Sequence, residues 1–290
     1  MTSASPAHRP FRSVLYVPAA NRRATEKARD LPADALILDL EDAVAPDRKD
    51  EARNAAMEVL RTGGYGARFV MIRVNGADTP WGADDFATCA GARLDAVLLP
   101  KVDGPEDVDA AAGALPEGIA IWVMMETPAA ILRAARIAAH PRVGGLVLGT
   151  NDLARALGCA DVPDRAPLLH ALQTSLLAAR AAGVICIDGV HNALDDPEAF
   201  AAECAQGRML GMDGKSLIHP GQIAAANAAF APTGTEIDLA RRQIATFDAA
   251  LAEGRGVAVL DGRIVEGLHV DIARQTLARW EAIAAMEGTE

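Results

Sequence analysis

The chain has 290 residues, 51% of them hydrophobic and 23% charged, enough to bury the core of one large α/β domain with an appendage. A net charge of −11 weighs against general nucleic-acid binding, and no apolar run approaches the roughly 20 residues a membrane helix needs. The four cysteines are scattered without a C-x-x-C pair, the pattern of reduced thiols in a cytoplasmic protein.

In chain order, the opening MTSASPAHRPFR has no apolar leader segment and reads as a flexible tail over residues 1–12. Eight short apolar runs then follow: SVLYVPA (13–19), ALILDLE (35–41), RFVMIRVN (68–75), DAVLLPKV (95–102), IAIWVMME (119–126), GLVLGTND (145–152), VICIDGVH (184–191) and GRMLGMDG (207–214). Their apolarity is nearly continuous rather than alternating, as in parallel strands covered on both faces. Between them lie amphipathic stretches such as DRKDEARNAAMEVL and PAAILRAARIAAH, the second opening with Thr127 as N-cap and Pro128 at the first helical position.

Strand and helix in alternation, eight times, predict a (β/α)₈ TIM barrel over residues 13–230. A doubly wound sheet would want a G-x-G-x-x-G after the first strand, and none is there. The last segment, 231–290, reads as a helix over about 236–253, a Gly-rich turn with a short apolar run, and a helix over about 268–286. It is too small for a core of its own and is expected to act as a helical lid on a barrel.

In such barrels reactive groups stand at the C-terminal ends of the strands. The second run ends in Asp39, Glu41 and Asp42, the third in Arg73 and Asn75, the fourth in Lys101, the fifth in Glu126, the sixth in Asn151 and Asp152, and the seventh carries Asp188 and His191. Glu126 and Asp152 end neighbouring strands with no His or Cys close by, which suits Mg²⁺ or Mn²⁺; capping of the following helices is the alternative. Arg73 offers a planar fork to a small carboxylate, or an ion pair to Glu41 or Asp42. Three further carboxylates on one divalent ion would overcharge it, so the acids of LILDLED are expected to orient Arg73, Lys101 and metal-bound waters. Lys101 could instead form a Schiff base, although the acids beside it would keep it protonated. His191 could touch the site or be a satisfied loop histidine, Trp81 could wall the pocket or pack its loop, and His219, at the start of the last barrel helix, is read as structural.

The succession SVLYVPAANRRATEKA, LILDLEDAVAPDRKDEAR, IRVNG, LLPKV, METPAA, LGTNDLA and GKSLIHPGQI resembles the citrate lyase beta subunit and malyl-CoA lyase family, within the HpcH/HpaI aldolase superfamily. The resemblance implies a Mg²⁺-dependent carbon–carbon lyase that cleaves a 3-hydroxy-3-carboxyacyl-CoA, such as malyl-CoA or citramalyl-CoA, to an acyl-CoA and a 2-oxoacid. It places the metal carboxylates at Glu126 and Asp152, the substrate-carboxylate arginine at Arg73, the acidic pair at Glu41 and Asp42, and CoA-phosphate contacts at Arg22 and Lys27. It also implies a homotrimer or hexamer in which the tail covers a neighbour's mouth and brings a catalytic acid/base. That position is Asp in relatives and Glu266 here. Alternatives are a citrate lyase beta subunit acting on a citryl thioester and a non-catalytic barrel that binds CoA esters; malate synthase-like condensation and hydrolysis of the thioester product also use such a site.

Overall fold

The computed structural model describes residues 9–288. Eight parallel strands close into a barrel in the order β1 to β8: β1 Ser13–Pro18, β2 Ala35–Asp39, β3 Phe69–Arg73, β4 Ala96–Leu99, β5 Ala120–Met125, β6 Val143–Leu148, β7 Ile185–Asp188 and β8 Gly214–Leu217. The crossovers carry α1 Arg22–Lys27, α2 Lys49–Thr62, α3 Gly82–Ala90, α4 Pro105–Ala114, α5 Pro128–Leu132 with α6 Ala134–Ala138, α7 Thr150–Leu157 with α8 Leu169–Ala182, and α9 Pro197–Leu210; α10 Ile223–Phe230 follows the last strand. The described residues divide into two compact units, one of residues 11–230 and one of residues 231–288 together with 9–10.

Strand parity explains why both faces of each strand are apolar. One set of side chains (Val14, Ile37, Met71, Leu98, Met124, Val147, Ile187) fills the barrel interior, and the alternate set (Leu15, Leu36, Ile72, Val123, Leu146, Cys186) packs under the helices. At the N-terminal end the interior is plugged by Phe11, Phe69 and Trp122, with ring centroids 5.1–5.4 Å apart. Gly145 in β6 makes room for this plug: a Cβ there would lie 2.6 Å from the Trp122 ring.

Two expectations need correction here. Residues 1–8 of the expected tail lie outside the described residues, but Phe11 and Arg12 at its end are buried, with Arg12 Nη2 2.8 Å from Asp34 Oδ1. The eighth strand is Gly214–Leu217, not 207–214, whose first four residues finish α9. The true strand contains Lys215, fully buried, so its charge disguises it from any reading by hydropathy.

The second unit holds α11 Gly234–Ala252, the antiparallel hairpin β9 Ala258–Leu260 with β10 Arg263–Val265, and α12 Gly267–Glu287. Thr233 and Glu236 form a reciprocal cap at the start of α11. Asp261 and Gly262, both at positive φ, make the hairpin turn. Against expectation this unit has a small core, formed by Phe247, Ala250, Ala258, Val265 and Val270.

Candidate active site

The inward parity of the strands carries on into the mouth of the barrel. One step beyond the interior residues Ile37, Met71 and Met124 stand Asp39, Arg73 and Glu126, and Tyr16 stands one step beyond Val14. Asp39 and Arg73 are partners in the β2–β3 register. A cavity of about 350 Å³ opens here, lined among others by Tyr16, Asp39, Asp42, Arg73, Glu126 and Asp152.

Arg73 is the electrostatic centre of one side. Its Nε and Nη2 grip both Asp39 oxygens at 2.7 and 2.6 Å, while Nη1 lies 2.8 Å from Glu41 Oε2 and 3.3 Å from Asp42 Oδ2. Its guanidinium also sits 4.9 Å from the centroid of the Tyr16 ring. Burial works against the charge, but Asp39 and Glu41 outweigh it and hold Arg73 firmly protonated. The two readings of Arg73 are therefore not exclusive: the ion pair exists, and Nη1 on the outer edge is shared by Glu41 and by Asp42, which is largely exposed. An incoming carboxylate that displaces Asp42 and shares Nη1 with Glu41 would meet the N–H donors of the Nη1–Nη2 edge.

Glu41 is pushed up to about 7 by burial, with Asp42 adding to the effect and Arg73 opposing it. Its folded-state value lies above the ordinary 4.5, so its contribution to stability is complete below about 4.5 and lost as pH rises through about 7. In chelator, wild type is expected to lose stability relative to Glu41→Gln between about pH 5 and pH 8, by on the order of 2–3 kcal/mol. Urea unfolding at both pH values reads this; a gap that does not change with pH would contradict the shift.

The other side of the mouth holds the expected metal carboxylates. Glu126 follows β5, and Oε1 accepts the Lys101 backbone N–H at 2.7 Å. Lys101 adopts φ +52°, a strained left-handed conformation that aims this N–H at the carboxylate. Asp152 lies in the first turn of α7 rather than on β6, so it reaches the mouth from a helix. The Lys101 ammonium lies 2.9 Å from Asp152 Oδ2 and 3.4 Å from Glu126 Oε1, and Arg155 pairs with Asp152 Oδ1. Burial opposes the Lys101 charge, but Asp152 and Glu126 outweigh it and raise the pKa of Lys101, which disfavours a Schiff-base role.

These residues fit a divalent cation. Glu126 Oε2 is buried without any hydrogen-bond partner, and burial raises the carboxyl's pKa. A Cβ at position 149 would lie 2.6 Å from that same oxygen, so Gly149 keeps the approach to it clear. Among the described residues no three His, Cys, Asp or Glu side chains converge on a point, so the protein offers two carboxylates and leaves most positions to water and substrate oxygens.

Several residues expected at the mouth are occupied elsewhere. Asp188 has the outward parity of Cys186; it is fully buried, pairing with Arg165 at 2.7 Å and facing Lys215 at 3.5 Å. His191 Nδ1 lies 2.6 Å from Glu203 Oε2, in the same network behind the wall. Asn75 accepts from Lys49 Nζ at 2.7 Å and donates to Asp85 and to the Leu40 carbonyl. His219 caps the turn before α10, and Trp81 packs beside Lys49. Arg22 and Lys27 are exposed on α1, with Arg22 bonded to Glu26 at 2.9 Å. Glu266 is the exposed residue before α12 in the second unit, its N–H donating to His269 Nδ1 at 3.1 Å. Asp39 orients Arg73, as expected of the LILDLED acids, whereas Tyr16, to which strand parity also points, was passed over.

The model of the HpcH/HpaI aldolase/citrate lyase family matches residues 12–220, which spans the barrel. The chain belongs to this family. It is similar to a (3S)-malyl-CoA thioesterase of Cereibacter sphaeroides, 54% identical over 97% of this chain and 98% of that one. It is also similar to the citrate lyase subunit beta of Escherichia coli, 38% identical over 93% of each. Among solved structures it resembles CitE from Mycobacterium tuberculosis in complex with magnesium, acetoacetate and coenzyme A, with a TM-score of 0.79, 31% identity, and coverage of 96% of this chain and 100% of that one. Among the described residues no helix is long and apolar enough to cross a membrane.

Proposed function

We propose that this family member is a metal-dependent enzyme of CoA esters whose substrate is (3S)-malyl-CoA or a close 3-hydroxyacid thioester, and that it hydrolyses the thioester. The observation that carries this reading is the 54% identity, nearly end to end, with a (3S)-malyl-CoA thioesterase. Mg²⁺ held by Glu126 and Asp152 would supply Lewis acidity to substrate oxygens. The chain's own groups do the rest. Arg73, fixed by Asp39, binds the substrate carboxylate on its outer edge. Glu41, pushed up to about 7, takes a proton from the attacking water near neutrality. Water adds to the thioester carbonyl, the carbon–sulfur bond breaks, and the proton passes to the leaving CoA thiolate, giving CoA and malate. Arg22 and Lys27 on α1 are assigned to the CoA phosphates by resemblance.

Carbon–carbon cleavage to an acyl-CoA and a 2-oxoacid is the second reading, favoured by the similarity to citrate lyase subunit beta. It needs a proton donor for the enolate, the role that the resemblance gives to Glu266 of a neighbouring copy in a homo-oligomer. Purified protein with Mg²⁺ and malyl-CoA separates the two by products. Free CoA thiol with malate is the expected result; glyoxylate with acetyl-CoA would replace hydrolysis by cleavage, and no turnover would sink both. In the same assay, a Glu266→Gln protein with wild-type rate would remove Glu266 from the reaction.

A further inference from the structure

A second charged cleft lies at the opposite, N-terminal face of the barrel. It has a volume of about 880 Å³ and is formed by the two loops that enter β3 and β4. Three guanidinium side chains line it, Arg61, Arg68 and Arg93, over an apolar floor that includes Met57, Leu60 and Leu94. In a chain of net charge −11 such a grouping is against the trend.

Little within the protein neutralises it. Arg93 is exposed and makes no ion pair or hydrogen bond among the described residues. Arg68 gives one N–H to the Tyr65 carbonyl at 2.9 Å and keeps its remaining donors. Arg61 pairs with Glu58 on the surface, where both side chains are well exposed and the pair is weak. Asp95 is the one carboxylate in the lining, and its Oδ2 accepts the Val70 N–H at 2.8 Å. Beneath the loop, Arg29 packs on Tyr65 with its guanidinium 5.7 Å from the ring centroid, and its Nε is buried without an acceptor.

The loop itself reads TGGYGARF, with Gly63, Gly64 and Gly66 all at positive φ. Gly63 N–H closes the end of α2 on Val59, whereas the N–H groups of Gly64, Tyr65 and Gly66 have no acceptor among the described residues. Left-handed residues flanking a single side chain curl successive amides into a concavity suited to anionic oxygens. Arginine forks beside it match phosphate geometry.

We infer that this cleft is a binding site for a small polyanion with an apolar body, of the nucleoside-phosphate class, remote from the barrel mouth. The phosphates lie on the Gly64–Gly66 amides, Arg68 and Arg93, and the apolar part covers Met57, Leu60 and Leu94. The proposal stands apart from the reading of the mouth, because none of its residues belongs to that site.

The test is calorimetric titration of full-length protein in chelator with ADP and, separately, with pyrophosphate. Both are expected to bind, more tightly at low salt, with ADP the tighter because only it covers the floor. Arg93→Glu, chosen because Arg93 has no partner whose loss would disturb folding, is expected to weaken both by about tenfold or more. Hydrogen exchange with ADP bound should show protection in 61–68 and 91–95. Absence of binding to wild type, or the same affinity in Arg93→Glu, would overturn the assignment; equal affinities for ADP and pyrophosphate would overturn the role of the apolar floor.

Discussion

Arg73→Lys is expected to lower kcat/KM by about two orders of magnitude or more although the charge is kept. The reason is geometric. Arg73 satisfies both oxygens of a nearly inaccessible Asp39 and one of Glu41, and still presents an edge to the cavity. A lysine has one nitrogen for all of these duties. It would be drawn to Asp39 and leave the substrate carboxylate without its paired donors. A loss of roughly 2.7 kcal/mol in transition-state binding corresponds to that hundredfold. Inhibition by malate, which carries the carboxylate without the CoA, should weaken in parallel. Because Asp39 would lose one of the two bonds it accepts from residue 73, keeping those from the Glu41 and Ala43 N–H groups, unfolding should shift as well, by about 1–3 kcal/mol. A variant that is destabilised yet keeps kcat/KM and malate inhibition would show that Arg73 is only scaffold for the β2 acids.

The barrel was legible in the sequence because its cause is repeated eight times: short apolar runs, each followed by an amphipathic stretch. The errors have local physical causes. Lys215 hides β8 because its charge is met by Glu203, by Asp188 and by the Gly189 carbonyl, partners brought by other elements. Asp188 looked like a mouth residue because it ends a strand, but its outward parity sends it beneath the helices to Arg165. Counting parity from the interior residues would have sorted Asp39, Arg73 and Glu126 inward and Asp188 outward. The partnerless oxygen of Glu126 and the clearance at Gly149 were not legible, since both depend on how β5 and β6 lie side by side. Hydrolysis against cleavage was left open by the motifs. As proposed, both reactions would use the same carboxylates and the same arginine, so the motifs that carry those residues do not fix which bond breaks.

Removal of the divalent ion is expected to abolish turnover, and replacement of either carboxylate to make the loss permanent. In chelator the purified protein should be inactive and regain activity with Mg²⁺. Glu126→Gln keeps the size of the side chain and an oxygen for the Lys101 N–H, but offers the ion a neutral group in a buried position. Asp152→Asn does the same from α7. Each should weaken Mg²⁺ binding, read by calorimetry without substrate, by about a hundredfold, since half of the protein's donor charge is gone. The rival is chemistry at Lys101. Its ammonium lies between the same two carboxylates, which hold it protonated and deprive it of the free pair an imine requires. Neutralising Glu126 or Asp152 would relieve that hold, so an imine enzyme should survive chelator and tolerate Asp152→Asn. Borohydride reduction in the presence of substrate decides the matter. Covalent trapping on Lys101, with activity persisting in chelator, would replace the metal by the lysine. No trapping, with activity that follows Mg²⁺ occupancy in wild type and is lost in both variants, leaves Glu126 and Asp152 as the pair that holds the ion.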